Sequence, residues 1–224
     1  MAIQSEELRS SSEIAYHALM KAILDNKFPK GTFLSQRMLA DIAGTSIISV
    51  REALRRLEFE HIVESIPKWG VRIPVETKER IQDLYRVREA LEVMVAYLLC
   101  IQDNPIAQEE IYAKAEQCDH ISTADEANIP VFAEGHRELH MLMAEKTGNR
   151  FLKFELERFT LRSLVYQSAK STWIREVGDW KRWHRDLVGE IFSKDPQRAQ
   201  NAMHTHIQHG LHHDLKLFEE GLFT

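Results

Sequence analysis

"SQRMLADIAGTSIISVREALRRLEFEHIVESIPKWGVRIP", residues 35–74, decides the fold. Ser35 is an expected N-cap for a short helix that stops at Gly44. After the turn "GTS", the segment "SVREALRRLEFEH" places Val50, Ala53, Leu54 and Leu57 on one helical face and Arg51, Arg55 and Arg56 on the other. "IVESIP" and "VRIPV" then flank the tip "KWG" and read as a two-stranded hairpin. Upstream, Ile14, Leu19 and Ile23 recur at helical spacing over residues 12–26, before Pro29 and Gly31 break the pattern in "FPKGTFLS". Helix, helix, tight turn, helix and hairpin make a winged helix-turn-helix. In that arrangement the helix after the turn enters the major groove, and its first residues meet base edges.

Pro74 and the "VET" that follows mark a boundary, so residues 1–75 are expected to form a DNA-binding domain and residues 76–224 a second domain. Beyond the boundary the chain reads helical throughout. "KERIQDLYRVREALEVMVAYLLC" carries apolar residues at 81, 84, 91, 95 and 98, with Arg88 in the remaining slot of the stripe. Further helices are expected near 106–121, 127–147, 150–170, 176–193 and 196–219, the last with Asp195 as N-cap and Pro196 at its first position. Short loops between six helices imply an antiparallel bundle. The expected class is therefore mainly α: a winged helix-turn-helix with a small β-hairpin wing, followed by an antiparallel helical bundle.

Composition narrows the function classes. With 44% apolar and 28% charged residues, the chain has the make-up of a folded domain, and it lacks the apolar run of roughly 20 residues needed for a membrane span. Acidic residues near the start argue against a secretory signal, which makes the cytoplasm the expected compartment. Two cysteines, Cys100 and Cys118, are too few for a disulfide framework and too isolated for a thiolate zinc site. The net charge is −5, yet residues 1–75 hold ten basic and nine acidic side chains, so the acidity belongs to the rest of the chain. Seven of the eleven histidines lie at or after residue 140, with His136 just before them.

Residues 12–75 resemble the GntR family of bacterial winged-helix repressors. The signature reads "FPKGTFLSQRMLADIAGTSIISVREALRRLEFEHIVESIPKWGVRIP" here, and "VREALRRLE" is its most specific part. The remainder resembles the FadR-type FCD domain: "VREALE" early in the first helix, His140 nine residues before Asn149, and His184 separated from His206 by 22. The resemblance implies a homodimer on a palindromic double-stranded operator, a metal site and a small organic acid effector. It departs in three places. Ile47, followed by Ile48 and Ser49, stands where an arginine usually follows the serine that opens the recognition helix, so the operator is expected to differ. His61 replaces a common glycine. His136 stands four residues before His140, where metal-binding members carry an aspartate.

Candidate site residues follow. For DNA these are Arg51, able to grip guanine or bridge phosphates, with Arg37, Ser46, Ser49 and Arg55 on the helices and Lys68 and Gly70 in the wing. An isolated charged helix face is more often merely solvated; the adjoining signature reverses those odds. For metal they are His136, His140, His184 and His206. Periodicity turns each inward, His136 and His140 with Phe132 and Met143, His184 with Trp180, Leu187 and Ile191, His206 with Ala199, Ala202 and Met203. One such histidine is more often a hydrogen-bonded core residue. Four facing one core suit a divalent transition metal, zinc first and nickel or another ion in reserve. Arg88, with Arg86, is expected to grip the acid; a salt bridge from Arg88 to Glu92 is the competing expectation. A hydrolytic centre is disfavoured, because Arg137 rather than glutamate follows His136 and the general base of a zinc protease is missing. A metal that is purely structural stays open.

Overall fold

The computed structural model describes residues 10–121, 128–167 and 182–221. It is mostly helical with one small sheet, and the chain divides into two compact units with its main boundary between Val75 and Glu76.

In the first unit, α1 (Ser11–Leu24) opens with a capping box. Ser10 accepts from the backbone N–H of Glu13, and Glu13 reaches back to the backbone of Ser10. α2 (Gln36–Ala43) is capped by Ser35 and closed by Gly44 in the left-handed conformation, the ends that the residue types predict. α3 (Ile47–Phe59) starts two residues earlier than its apolar period suggests, because the Ser46 hydroxyl accepts from the Ser49 N–H and so fixes the first turn. Its last turn ends at His61, which adopts φ 56, the left-handed geometry for which glycine is the easiest residue.

The hairpin pairs β2 (Glu64–Ile66) with β3 (Gly70–Arg72), antiparallel. The apolar pattern does not announce a third strand, β1 (Phe33–Leu34), which lies in the segment read as a break and adds to β3 in the order β1-β3-β2. Gly70 is required at the tip: its φ is 104, and a Cβ there would come within 3.2 Å of the Leu34 carbonyl. Leu19, Leu39, Val50, Leu57 and Ile62 fill the core of this unit. Arg56 is exposed but engaged: its guanidinium lies 3.7 Å over the Tyr16 ring and pairs with Glu60, which also accepts from Tyr16.

The second unit is helical: α4 (Lys78–Ile101), α5 (Pro105–His120), α6 (Ile129–Lys146), the first part of α7 (Arg150–Gln167), α8 (Trp183–Ile191) and α9 (Pro196–Glu219). The expected start of α8 at residue 176, with Trp180, lies outside the described residues. Asp195 caps α9 and Pro196 opens it. Asn149, notable in the sequence for its spacing from His140, accepts from the N–H groups of Phe151 and Leu152 and so caps α7. α4 packs chiefly along α9 around Leu99, Ile111, Leu139, Met143, Ile191 and Met203. Cys100 and Cys118 are both free and buried. No described helix is long and apolar enough to cross a membrane.

Candidate functional site

Two surfaces carry the expected chemistry, one in each unit. In the first unit, Arg37, Ser46, Arg51, Arg55, Lys68 and Gly70 are exposed. Arg51 donates from Nε to Gln36 Oε1 at 3.3 Å, which ties the start of α3 to α2 and orients the rest of the guanidinium outward. The Ser46 hydroxyl is engaged as a helix cap. Ser49 corrects the sequence expectation: it is 7% exposed, its hydroxyl meets that of Ser46 at 3.0 Å, and it sits one helical turn before the buried Ala53. Ser49 therefore faces the core. Ile47 and Ile48 occupy the outer surface in its place. At the wing, Trp69 is exposed beside Phe33, with ring centroids 5.5 Å apart.

In the second unit, α6, α8 and α9 bring the histidines together. His136 and His140 are one turn apart on α6, and their Nε2 atoms are 2.7 Å apart. His206 from α9 places its Nε2 3.1 Å from that of His140 and 3.3 Å from that of His136. His184 from α8 is fully buried, its ring 5.1 Å from that of His136 and 5.9 Å from that of His206. Trp183 covers the cluster with its ring 4.2 Å from that of His206, and Phe132 lies 5.7 Å from that of His184.

Two acids determine which nitrogens face inward. Asp119 on α5 accepts from His184 Nδ1 at 2.8 Å and from the backbone N–H groups of His184 and Arg185 at 3.1 Å. Glu92 on α4 accepts from His140 Nδ1 with one oxygen and from Arg88 Nε with the other, the latter at 2.6 Å. An ionised carboxylate can only accept, so both imidazoles carry their proton on Nδ1 and present a bare Nε2 lone pair. His184 Nε2 is buried with no hydrogen-bond partner.

Electrostatics agree with that proton placement. Burial alone would raise the pKa of Glu92, but His140 and Arg88 outweigh it and hold the carboxyl down at about 2. Burial also opposes ionisation of Asp119, and the hydrogen bonds from His184 and Arg185 hold it below the usual range. Desolvation pushes His136 and His206 well below the ordinary imidazole value, with neighbouring histidines adding to the effect. Desolvation lowers His140 too, with Glu92 opposing it. These three rings are neutral at pH 7, the state in which imidazole ligates a metal.

The arrangement fits a metal on two counts. Nitrogens about 2.0–2.1 Å from a tetrahedral zinc lie about 3.3 Å from one another, close to the spacing of the three Nε2 atoms. Beside these three, the orphaned Nε2 of His184 is a further imidazole nitrogen whose burial without a partner costs free energy. Among the described residues, His136, His140 and His206 form the group of side chains close enough to share one ion.

Arg88 pairs with Glu92, the same carboxylate that holds His140, and its side chain is 15% exposed. The competing expectation for Arg88 is thus the pairing observed. Arg86 does not join it: two residues along a helix turn the side chain about 200° away, and Arg86 is exposed and bonded to Asp83 at 2.7 Å. Asp119 was missed in the sequence. The available signal was its place in the stripe Ile111, Ala115, Asp119 at four-residue steps, the same kind of exception that singled out Arg88.

Asp119→Ala is expected to weaken metal binding about 10–100-fold, the usual penalty for removing an outer partner of a ligating histidine. It should also lower the stability of the metal-free chain by about 1–3 kcal/mol, because two backbone N–H groups and His184 Nδ1 lose their acceptor. Chelator competition and urea denaturation measure the two effects separately.

Residues 11–73 match the family described as bacterial regulatory proteins, gntR family, and residues 83–209 match the FCD domain. A Bacillus subtilis chain named as an HTH-type transcriptional regulator, YdhC, is 24% identical over 209 residues, covering 92% of each chain. The HTH-type transcriptional repressor GlaR of Escherichia coli is 21% identical, covering 86% of this chain and 90% of its own. A crystal structure of a GntR regulator from Rhodococcus superposes with TM-score 0.67 at 19% identity, over 93% of this chain and 99% of the other.

Proposed function

Because the chain belongs to the GntR family of bacterial regulatory proteins and carries its FCD domain, we propose that it is a repressor whose hold on DNA is set by a metal ion and a small organic acid bound in the helical unit. Kinship makes it a DNA-binding transcriptional regulator and not an enzyme. The observation that carries the metal reading is the convergence of three Nε2 atoms within 3.3 Å, beside a buried fourth imidazole with an unpartnered Nε2.

His136, His140, His184 and His206 would hold the ion. An all-imidazole set suits zinc, nickel, copper or iron, with zinc the default and nickel the reserve. Such a site gains no negative charge from its ligands, since His136 stands where a carboxylate would bring one. When bound, the ion supplies a positive charge that the carboxylate of an organic acid can share. Arg88 adds a second cation on the same side. Control of DNA binding requires the acid to prefer one arrangement of the protein over another, since equal affinity for both would only stabilise the fold.

A homodimer on a palindromic operator completes the reading. Val87, Met94 and Ile101 are exposed at seven-residue steps along α4, the spacing by which one helix packs on another copy of itself. Two reading heads would then meet half-sites about one helical turn apart.

The pairing of Arg88 with Glu92 favours a second reading, in which the metal is purely structural. Thermal-shift screening of small organic acids against metal-loaded wild type and Arg88→Ala separates the two. The effector reading expects at least one acid to raise the wild-type Tm by a few degrees and to leave Arg88→Ala unmoved. No acid-dependent shift in the wild type leaves the structural reading standing.

A further inference from the structure

At the start of α3 an isoleucine stands where base edges are read. Ile48 is 70% exposed in the first turn of the helix, beside Ile47 and directly after the Ser46 cap. A single exposed apolar side chain on a protein surface needs no explanation. The company of this one supplies a reason. Steps of three, four and seven residues put Ile48, Arg51, Glu52 and Arg55 on one exposed face. Arg51 and Arg55 supply positive charge toward a polyanion, and Glu52 between them disfavours phosphate at the middle of the face and suits a base edge. Ser49, the hydroxyl that could have hydrogen-bonded a base, is turned into the core and paired with Ser46.

Chemistry then selects the base. Isoleucine offers neither donor nor acceptor, so a polar base edge beneath it would lose water and gain no partner. The one apolar group that a standard base pair presents in the major groove is the C5-methyl of thymine. We propose that Ile48 is a specificity-determining residue that packs against a thymine C5-methyl at one fixed position of each operator half-site. This rests on α3 being the DNA-reading helix of a dimeric regulator, the reading given above.

The test replaces thymine by deoxyuridine, which removes the methyl and leaves the hydrogen-bonding pattern unchanged. Full-length protein is first used to enrich duplexes from a random library. In the enriched duplex each thymine is then changed in turn, and affinity is read by fluorescence anisotropy. Burying one methyl is worth about a four-fold difference in affinity, so removal from both half-sites should weaken wild-type binding about fifteen-fold at one symmetric position. Ile48→Ala, whose side chain is exposed and whose loss leaves the core intact, should bind the thymine and deoxyuridine duplexes at that position equally. Placing 5-methylcytosine there should restore part of the wild-type affinity lost on going from thymine to cytosine. Equal wild-type affinity for every deoxyuridine duplex overturns the inference while leaving DNA reading by α3 in place. A methyl preference that persists in Ile48→Ala assigns the contact to another side chain and also overturns it. Failure to enrich any sequence removes the underlying reading, and the inference with it.

Discussion

His140→Ala and His184→Ala are each expected to reduce bound metal from about one ion per chain to near zero after dialysis. In the proposed site each removes one of the four imidazoles, with no charged ligand to compensate. His140 and His184 are also the two rings whose Nδ1 protons are fixed by carboxylates, so their Nε2 lone pairs are the best oriented of the set. Free energies of about 10–16 kcal/mol for structural zinc in small peptides show how much a complete ligand shell can contribute. At metal a thousand times above Kd the ion would stabilise the wild type by about 4 kcal/mol. For a chain of this size that corresponds to a Tm shift of about 8–16 °C. Elemental analysis and thermal melts with and without chelator check both numbers. Unchanged metal content in both variants would sink the assignment of these residues as ligands.

Arg51→Ala is expected to lower operator affinity at least about thirty-fold with no change in far-UV circular dichroism. Each arginine contact to a guanine edge or phosphate contributes about 1–3 kcal/mol, and a dimer loses two of them. The fold should tolerate the change, because Arg51 is exposed and its hydrogen bond is a single one to Gln36. Loss of the guanidinium should also make binding less sensitive to salt if the contact is to phosphate. Affinity within three-fold of wild type on an enriched operator would contradict the placement of α3 in the major groove.

The legible parts of this protein are those encoded by local chemistry. Ser35 and Gly44 announce both ends of α2, Asp195 and Pro196 announce the start of α9, and the period of apolar residues places α4 and α6. β1 was not legible, because two residues that pair with a strand almost forty positions later carry no period of their own. The start of α3 is not legible in the apolar face for a related reason: a cap sets where a helix begins. Within the candidate site, three of the four histidines are brought together as ring periodicity suggests, and the fourth stands beside them. The acids that orient them are separated from their partners by 48 and 65 residues, a distance over which sequence spacing says nothing. Arg86 shows the opposite error, since neighbours in number are not neighbours on a helix. Ser49 shows it again, lying one turn from Ala53 on the side that faces the core.

The sharing of Glu92 between Arg88 and His140 has a thermodynamic consequence. One carboxylate cannot strengthen its hold on the guanidinium without redistributing its charge away from the imidazole. An acid that competes for Arg88 would therefore alter the basicity of His140, a ligand of the proposed metal site, even if it never approaches that ring. By reciprocity, whatever factor such an acid applies to metal affinity, the metal applies to the affinity for that acid. Cells with scarce metal and cells with abundant metal would then read the same concentration of acid differently, through a single buried glutamate.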